Sequence, residues 1–262
     1  MASRAEGVRA PFSAERRQLI LDELRGSGRV GAAELAQRLG VTGETVRRDL
    51  VALEREGRLA RVHGGAVPAD GTAAEPAVSA RVSHEAEKRR IARAALRHLP
   101  ATGSVLVDAG STTAHLAEQF PDRAGLVVFT NALPIAALLL EKPQLEVHLI
   151  GGRLRAPTSA AVGPWAGRVL RDLHVDVLFA GTNGVSLARG LTTPDPEEAE
   201  AKALMLAAAR HRILLADHTK LGAERLCRHG SLDDVDLFVT DAGMPEDDLR
   251  ALRDAGVEVE VA

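Results

Sequence analysis

The chain predicts an α/β protein in two parts: an N-terminal winged helix-turn-helix head, then a doubly wound, mostly parallel sheet. Three observations carry that prediction. Short helical patterns followed by a Gly-Gly hairpin fill the first 67 residues, a stretch without large apolar residues comes next, and from residue 83 onward Val/Ile/Leu-rich strands alternate with helical patterns.

In the head, Leu19, Ile20 and Leu24 recur at helical spacing over residues 13–24, and Gly26 and Gly28 end the pattern. Residues 32–39 make a second helix closed by Gly40, and a third begins near Glu44. After Gly57 the alternation around Gly64-Gly65 reads as a two-stranded wing. Residues 68–76 hold Ala, Asp, Gly, Thr, Glu and Pro and cannot pack, so they are a linker. The expected boundaries are 1–11 for a disordered N-terminus, 12–67 for the head, 68–82 for the linker and 83–262 for the body. Within the body, strands are expected at 104–108, 126–130, 145–150, 175–180, 212–216, 235–240 and 257–261. No internal repeat is present.

Composition excludes several classes of protein. With 262 residues and 45% hydrophobic content the chain can fill a core, which rules out a disordered tail protein. The longest apolar run, 132–140, falls far short of the roughly 20 residues that cross a bilayer, so no membrane span is expected. The polar N-terminal residues carry no export signal, and a cytoplasmic address is expected. Cys227 is the single cysteine, which excludes an internal disulfide and a Cys-pair metal site. The net charge of -3 hides a split, +3 over residues 1–67 and -6 over the remainder, as in a nucleic-acid-facing head on an acidic body. Aromatic residues are 2%, with no Tyr and Trp165 alone of its type, which argues against a stacking platform for single strands.

The third helix carries the chemistry of the head. Thr42 is its N-cap, and Glu44 suits the positive end of the helix dipole. Val46, Leu50 and Leu53 fall on one buried face, turning Thr45, Arg47 and Arg48 outward. Arginine presents a two-pronged donor to guanine O6 and N7, while Thr45 suits a thymine methyl or a phosphate. Asp49 is placed to orient an arginine. In the wing, Arg61 and His63 would add phosphate or minor-groove contacts. Taken alone, Arg47-Arg48 also fits a solvated face paired with Glu44 and Asp49; the surrounding order of elements favours DNA.

In the body, a strand ending at Asp108 runs through Ala109-Gly110-Ser111-Thr112-Thr113 into a helix, exposing N–H groups and hydroxyls suited to a phosphate. An ordinary N-cap is the alternative. Gly110 stands alone, so dinucleotide and nucleoside-triphosphate loops lose support. Other strand ends are also polar or glycine-rich: Thr130-Asn131, Gly151-Gly152, Gly181 to Gly184, and Asp217 to Lys220. In an open α/β sheet ligands sit beyond the carboxyl ends of the strands, so these turns outline one site. Lys202 and Lys220 are candidate phosphate or hydroxyl donors, and Asp108 and Asp217 candidate acceptors of sugar hydroxyls. Glu198 and Lys202, four apart, also fit an ordinary surface pair.

These segments resemble the DeoR/GlpR group of bacterial transcriptional regulators. Arg16, Ile20 and Leu24, the run from Thr42 to Leu50, and Arg61 to Ala66 are similar to its N-terminal signature. Glu87 to Ala92, Asp108 to Thr113, Thr130-Asn131, Ile150 to Gly152, Glu198 with Lys202, and Asp217 to Lys220 are similar to its effector domain. The resemblance implies a body similar in fold to ribose-5-phosphate isomerase and the CoA-transferase-like proteins, sensing phosphorylated sugars or related intermediates. It also implies that Asp108, Ser111 to Thr113, Thr130, Asn131, Lys202, Asp217 and Lys220 line the pocket. The segment 191–197, with two prolines, departs from the pattern and bears on the sugar end. A double-stranded operator, a phosphorylated sugar and further copies of the chain are the expected partners.

No metal site, cofactor or enzyme nucleophile is read. None of the nine histidines has the spacing of a helical zinc pair, and no Gly-x-Ser-x-Gly elbow occurs. Two other classes compete with a sensing repressor: an isomerase-like enzyme using Glu198 or Asp217 as base with Lys202, and an architectural DNA binder without a sensor.

Overall fold

The computed structural model describes residues 12–27, 29–56, 58–62, 64–68 and 77–262. The segment 1–11, Gly28, Gly57, His63 and residues 69–76 of the expected linker lie outside the described residues. The chain divides into two compact units, 1–81 and 82–262.

In the first unit, α1 (Ser13–Ser27), β1 (Val30–Gly31), α2 (Ala32–Leu39) and α3 (Gly43–Arg55) precede β2 (Leu59–Val62) and β3 (Gly65–Pro68). Gly40 ends α2 in the left-handed region at φ 63°, where glycine pays no steric cost, and the chain turns directly into α3. The core gathers Ile20, Leu24, Leu35, Val46, Leu50, Leu53 and Leu59, all buried. Leu19, grouped with Ile20 and Leu24 on spacing, instead faces outward, and Leu21 takes the buried position. The three strands pair antiparallel in the order β1-β3-β2. Gly65 opens β3 rather than forming the turn: a Cβ there would stand 1.9 Å from the Val30 carbonyl, so the close approach of β1 requires glycine. The wing runs through Pro68, and a 3-10 turn occupies Val78–Ala80 inside the segment read as linker.

The second unit runs α4 (Glu85–Ala95), β4 (Gly103–Val107), α5 (Ser111–Gln119), β5 (Leu126–Thr130), α6 (Leu133–Leu140), β6 (Glu146–Leu149), β7 (Arg153–Arg155), β8 (Ala160–Val162) and α7 (Pro164–Asp172). It continues through β9 (Val175–Gly181), β10 (Gly184–Ser186), β11 (Gly190–Thr193), α8 (Pro196–Ala208), β12 (Ala209–Leu215), β13 (Cys227–Gly230), β14 (Leu237–Thr240), α9 (Glu246–Asp254) and β15 (Glu258–Val261). Seven strands form one sheet in the order β15-β14-β12-β9-β4-β5-β6, and every neighbouring pair is parallel. These are the seven strands that the sequence predicts.

Strand residues alternate between two cores. Val105, Val107, Phe179, Ile213 and Leu215 pack with Ile91, Leu116 and Ile135 of α4, α5 and α6. Leu106, Leu178, Leu214 and Phe238 pack with Leu170, Met205 and Leu252 of α7, α8 and α9. The sheet is therefore covered on both faces, as parallel strands with hydrophobic residues on both sides require. The chain moves outward from β4 to β5 and β6, then crosses back to β9 and moves the other way through β12, β14 and β15. Between β4 and β9 the direction of winding reverses, which is where an open α/β sheet parts its loops into a crevice. The antiparallel pair β7-β8 and the small sheet β10-β11-β13 are additions the sequence reading missed. Their strands of three or four residues, with Gly184, Gly190 and Gly230 among them, lack a clear apolar alternation.

Candidate functional site

At the head, Thr42 caps α3: its Oγ1 accepts the Thr45 N–H at 3.2 Å and lies 2.9 Å from the Thr45 hydroxyl. That cap fixes the start of the helix and turns its next residues to solvent. The Arg47 and Arg48 side chains are 74% and 80% exposed and meet Glu44 at 3.9 and 3.4 Å. Glu44, Arg47, Arg48, Val51, Ala52 and Arg55 line one shallow depression on this face. Val51 and Arg55 were not singled out from sequence, although they follow Arg47 and Arg48 at helical spacing.

Asp49 does not orient these arginines. It is buried and accepts from Arg16 Nε at 2.8 Å, Arg17 Nε at 3.4 Å and Ser13 Oγ at 3.3 Å, pinning α1 to α3. Arg61 lies in β2 and is held by Glu54, with its Nε 2.6 Å and its backbone N–H 3.0 Å from the carboxylate. Those two donors keep the Glu54 carboxyl below its usual value. His63 lies outside the described residues.

In the second unit, the predicted residues line the C-terminal edge of the large sheet, across β12, β9, β4, β5 and β6. At the reversal point Asp108 directly follows β4 and is 1% exposed. Its Oδ1 accepts the Ala109 N–H at 2.8 Å, and its Oδ2 accepts the Gly181 N–H at 2.9 Å and Lys202 Nζ at 2.5 Å. Lys202 also donates to the Gly181 carbonyl at 3.0 Å and stands 3.7 Å from Glu198. The surface-pair alternative for Glu198 and Lys202 is overturned, because both are buried. Arg155 of β7 reaches Glu198 at 3.1 Å and Asp195 at 3.2 Å, and Asp195 caps α8 by accepting the Glu198 N–H at 2.9 Å. An alternating ladder of charge thus joins β7, α8, β4 and β9. Arg155 and Asp195 were missed, although Asp195-Pro196 is a readable helix start, with a capping side chain ahead of proline at the first helical position. Asp108 therefore holds the seam of the sheet; its carboxylate is engaged by protein groups rather than open to a sugar.

Helix α5 starts at Ser111, so the hydroxyl-rich turn is its first turn. Gly110, in extended conformation, is the N-cap, and the first intrahelical bond runs from the Ala114 N–H to the Gly110 carbonyl at 3.0 Å. The N–H groups of Ser111, Thr112 and Thr113 precede that bond and point out of the positive end of the helix. Ser111 is half-buried, and Thr112 and Thr113 are buried. Thr113 donates its hydroxyl to the Gly110 carbonyl at 3.1 Å.

Beyond β5, Thr130 Oγ1 accepts the Ala132 N–H at 3.1 Å, and Asn131 donates Nδ2 to the Ala161 carbonyl at 3.1 Å. Gly152 serves packing, since a Cβ there would stand 2.8 Å from the Val162 carbonyl, whereas Gly151 faces open space. Beyond β12, Asp217 Oδ1 accepts both the N–H and the hydroxyl of Thr219, and Lys220 Nζ stands 4.0 Å from Oδ2. Burial raises the Asp217 pKa, but Lys220, the Thr219 hydroxyl, Lys88 and His84 together hold it below the usual carboxylate value.

Several buried side-chain atoms along this edge have no hydrogen-bond partner: Asn131 Oδ1 after β5, Asp217 Oδ2 after β12, and Thr240 Oγ1 at the end of β14. Buried polar atoms are ordinarily paired. His229 of β13 adds another at Nδ1. Its Nε2 lies 3.2 Å from Thr182 Oγ1, whose single hydroxyl proton faces the Gly184 and Thr192 carbonyls at 3.0 and 3.2 Å. His229 is therefore the donor to Thr182, and burial with the nearby Lys202 pushes its pKa down to about 3. Among the described residues no helix is long and apolar enough to cross a membrane, and no cluster of three or more His, Cys, Asp or Glu is arranged to hold a metal ion.

The family described as "DeoR-like helix-turn-helix domain" matches residues 16–72, and "DeoR C terminal sensor domain" matches residues 83–242. The HTH-type transcriptional regulator GlpR of Haloferax volcanii is 37% identical over 94% of this chain and 96% of its own. The glycerol-3-phosphate regulon repressor of Escherichia coli K12 is 28% identical over 94% of this chain and 98% of its own. A solved ribose 5-phosphate isomerase from Methanocaldococcus jannaschii, 16% identical, aligns with 53% of this chain and 55% of its own at a TM-score of 0.40. With both domain families matched in order along nearly the whole length of such relatives, this chain belongs to the DeoR family of DNA-binding transcriptional regulators.

Proposed function

We propose that this regulator represses genes of sugar metabolism by binding operator DNA as a homo-oligomer, and that a phosphorylated sugar or related intermediate at the strand-end crevice modulates that binding. The observation that carries the effector reading is the set of orphaned buried atoms, Asn131 Oδ1, Asp217 Oδ2 and Thr240 Oγ1, on the same sheet edge as the α5 N-terminus. The orphaned carboxylate and amide oxygens suit the hydroxyl donors of a sugar. The free N–H groups of α5, with Lys220, suit its phosphate. The name of one relative, the glycerol-3-phosphate regulon repressor, supports a phosphorylated metabolite as the signal.

On DNA, two copies would set their α3 helices about one turn apart, roughly 34–36 Å, on a repeated or palindromic operator. Arg47 and Arg48 would exchange Glu44 for base edges, with Thr42, Thr45, Arg61 and His63 on the flanking backbone. The effector must bind one arrangement of the oligomer better than another, and couplings of this kind commonly amount to about 1–3 kcal/mol. Turnover is the less favoured reading, because Lys202 is tied to Asp108 and Gly181, and Glu198 to Arg155.

Fluorescence anisotropy on labelled DNA from upstream of the gene, at fixed salt, tests the proposal with triose, pentose and hexose phosphates. Specific binding altered by one of them is the expected result. Binding indifferent to every compound overturns the sensor assignment, and conversion of ribose 5-phosphate above the buffer rate overturns the non-enzyme assignment.

A further inference from the structure

Behind Asp217 stands a group of side chains that neither the DNA-reading face nor the strand-end turns account for. Lys88, in the first turns of α4, is 4% exposed and donates Nζ–H to the Ser83 carbonyl at 2.7 Å. His84 caps the same helix with φ 56° and ψ 36°, in the left-handed region that non-glycine residues rarely enter. Its ring meets His218 edge to face, with centroids 5.0 Å apart and planes at 86°. His218 is fixed in turn by Asp241, which accepts its Nδ1–H and its backbone N–H, both at 2.8 Å. Gly243 allows this fit, since a Cβ there would stand 2.5 Å from His218 Nδ1. The segment from Ser83 to Lys88 is thus tied to the ends of β12 and β14, beside the carboxylate whose Oδ2 is buried without a hydrogen-bond partner.

A strained backbone and a buried ammonium persist only where their surroundings over-determine them. Here both bear on one carboxylate: the His84 ring packs on His218, the residue next to Asp217, and the charges of Lys88 and His84 help hold Asp217 below the usual carboxylate pKa. A carboxylate repels a phosphate and accepts a hydroxyl, so Asp217 suits the sugar end of a ligand, and the α5 N-terminus with Lys220 suits the anionic end.

We propose that Lys88 and His84 are positioning residues of the crevice, holding the Asp217 carboxylate so that Oδ2 receives a hydroxyl of a polyol phosphate and thereby discriminates it from phosphate alone. This inference rests on the reading of the crevice as an effector site and assigns its discriminating end.

Calorimetric titration of the full-length protein with inorganic phosphate, glycerol 3-phosphate, ribose 5-phosphate, fructose 1-phosphate and galactose 6-phosphate tests this. At least one sugar phosphate binds the wild type more tightly than inorganic phosphate. Lys88→Met erases about tenfold of that preference, the scale of a hydrogen bond to a charged group, leaves inorganic phosphate affinity unchanged, and is rescued by Lys88→Arg. His84→Gly, which suits the left-handed backbone and removes only the ring, weakens the same preference and carries the test if Lys88→Met does not fold. Full preference in both variants overturns the positioning assignment while the crevice reading stands. Equal affinity of every compound for the wild type overturns the hydroxyl role of Asp217, and binding of none overturns the effector reading itself.

Discussion

Lys202 and Asp108, 94 residues apart in sequence, meet as a buried ion pair at 2.5 Å across the point where the sheet reverses its winding. Removing one partner of such a pair leaves an uncompensated buried charge and typically costs about 3–5 kcal/mol, more than the pair itself contributes. Lys202→Met should therefore lower the urea midpoint of the sensor unit strongly, and Lys202→Met with Asp108→Asn should recover part of the loss. Additive losses in the double variant would contradict a direct pairing.

Arg47→Ala and Arg48→Ala should each weaken specific operator binding about tenfold, the order expected for one lost two-pronged base contact. Both side chains are exposed, so thermal unfolding should not change. Glu44→Gln should act oppositely on non-specific DNA, tightening it by releasing both arginines. Anisotropy on operator and scrambled duplexes at the same salt separates these effects.

Asp49→Asn keeps the shape of the side chain but removes the charge that Arg16 and Arg17 share. The loss should be about 1–3 kcal/mol of head stability, followed by circular dichroism during denaturation. An unchanged midpoint would mean that α1 is held by its apolar face alone.

His229 predicts an acid response. Its pKa is about 3 in the folded chain against an ordinary value of 6.5, so between those values the unfolded chain binds the extra proton. Stability from this group is complete above about pH 6.5 and falls as the pH drops toward 3, with a limiting slope of about 1.4 kcal/mol per pH unit. His229→Gln should flatten the pH dependence of the urea midpoint in that window; a profile parallel to the wild type would refute the assignment.

The legible part of the fold was the part written in local pattern. The seven parallel strands are legible from their Val, Ile and Leu content, which in β6 and β15 alternates with polar residues, and the buried face of α3 follows from Val46, Leu50 and Leu53. What spacing could not tell was direction. Asp49 reads as a neighbour of Arg48 but turns inward to α1, and Glu198 with Lys202 reads as a surface pair but lies beneath β7 and between the ends of β4 and β9. Arg155 gave no local signal, because Asp195 and Glu198, which pair with it, come from a distant segment. The strand-end turns were legible as a group, whereas their separate ties, Asp108 to Lys202 and Gly181 and Asp217 to Thr219 and Lys220, depend on contacts that only folding creates.

The reversal of winding also divides the sensor into two halves of contiguous sequence. Residues 103–149 supply β4, β5 and β6, and residues 175–261 supply β9, β12, β14 and β15; within the large sheet they are joined along β4 and β9 alone. Each half can assemble from near neighbours in the chain, and the long-range step is their docking. The β4-β9 line is thus the one strand pairing between the halves, and side chains of both halves pack across it on each face of the sheet. Asp108, Lys202 and Gly181 lie at one end of that line and clasp it shut, so whatever disturbs those three groups alters the cohesion of the whole sheet rather than the shape of one loop.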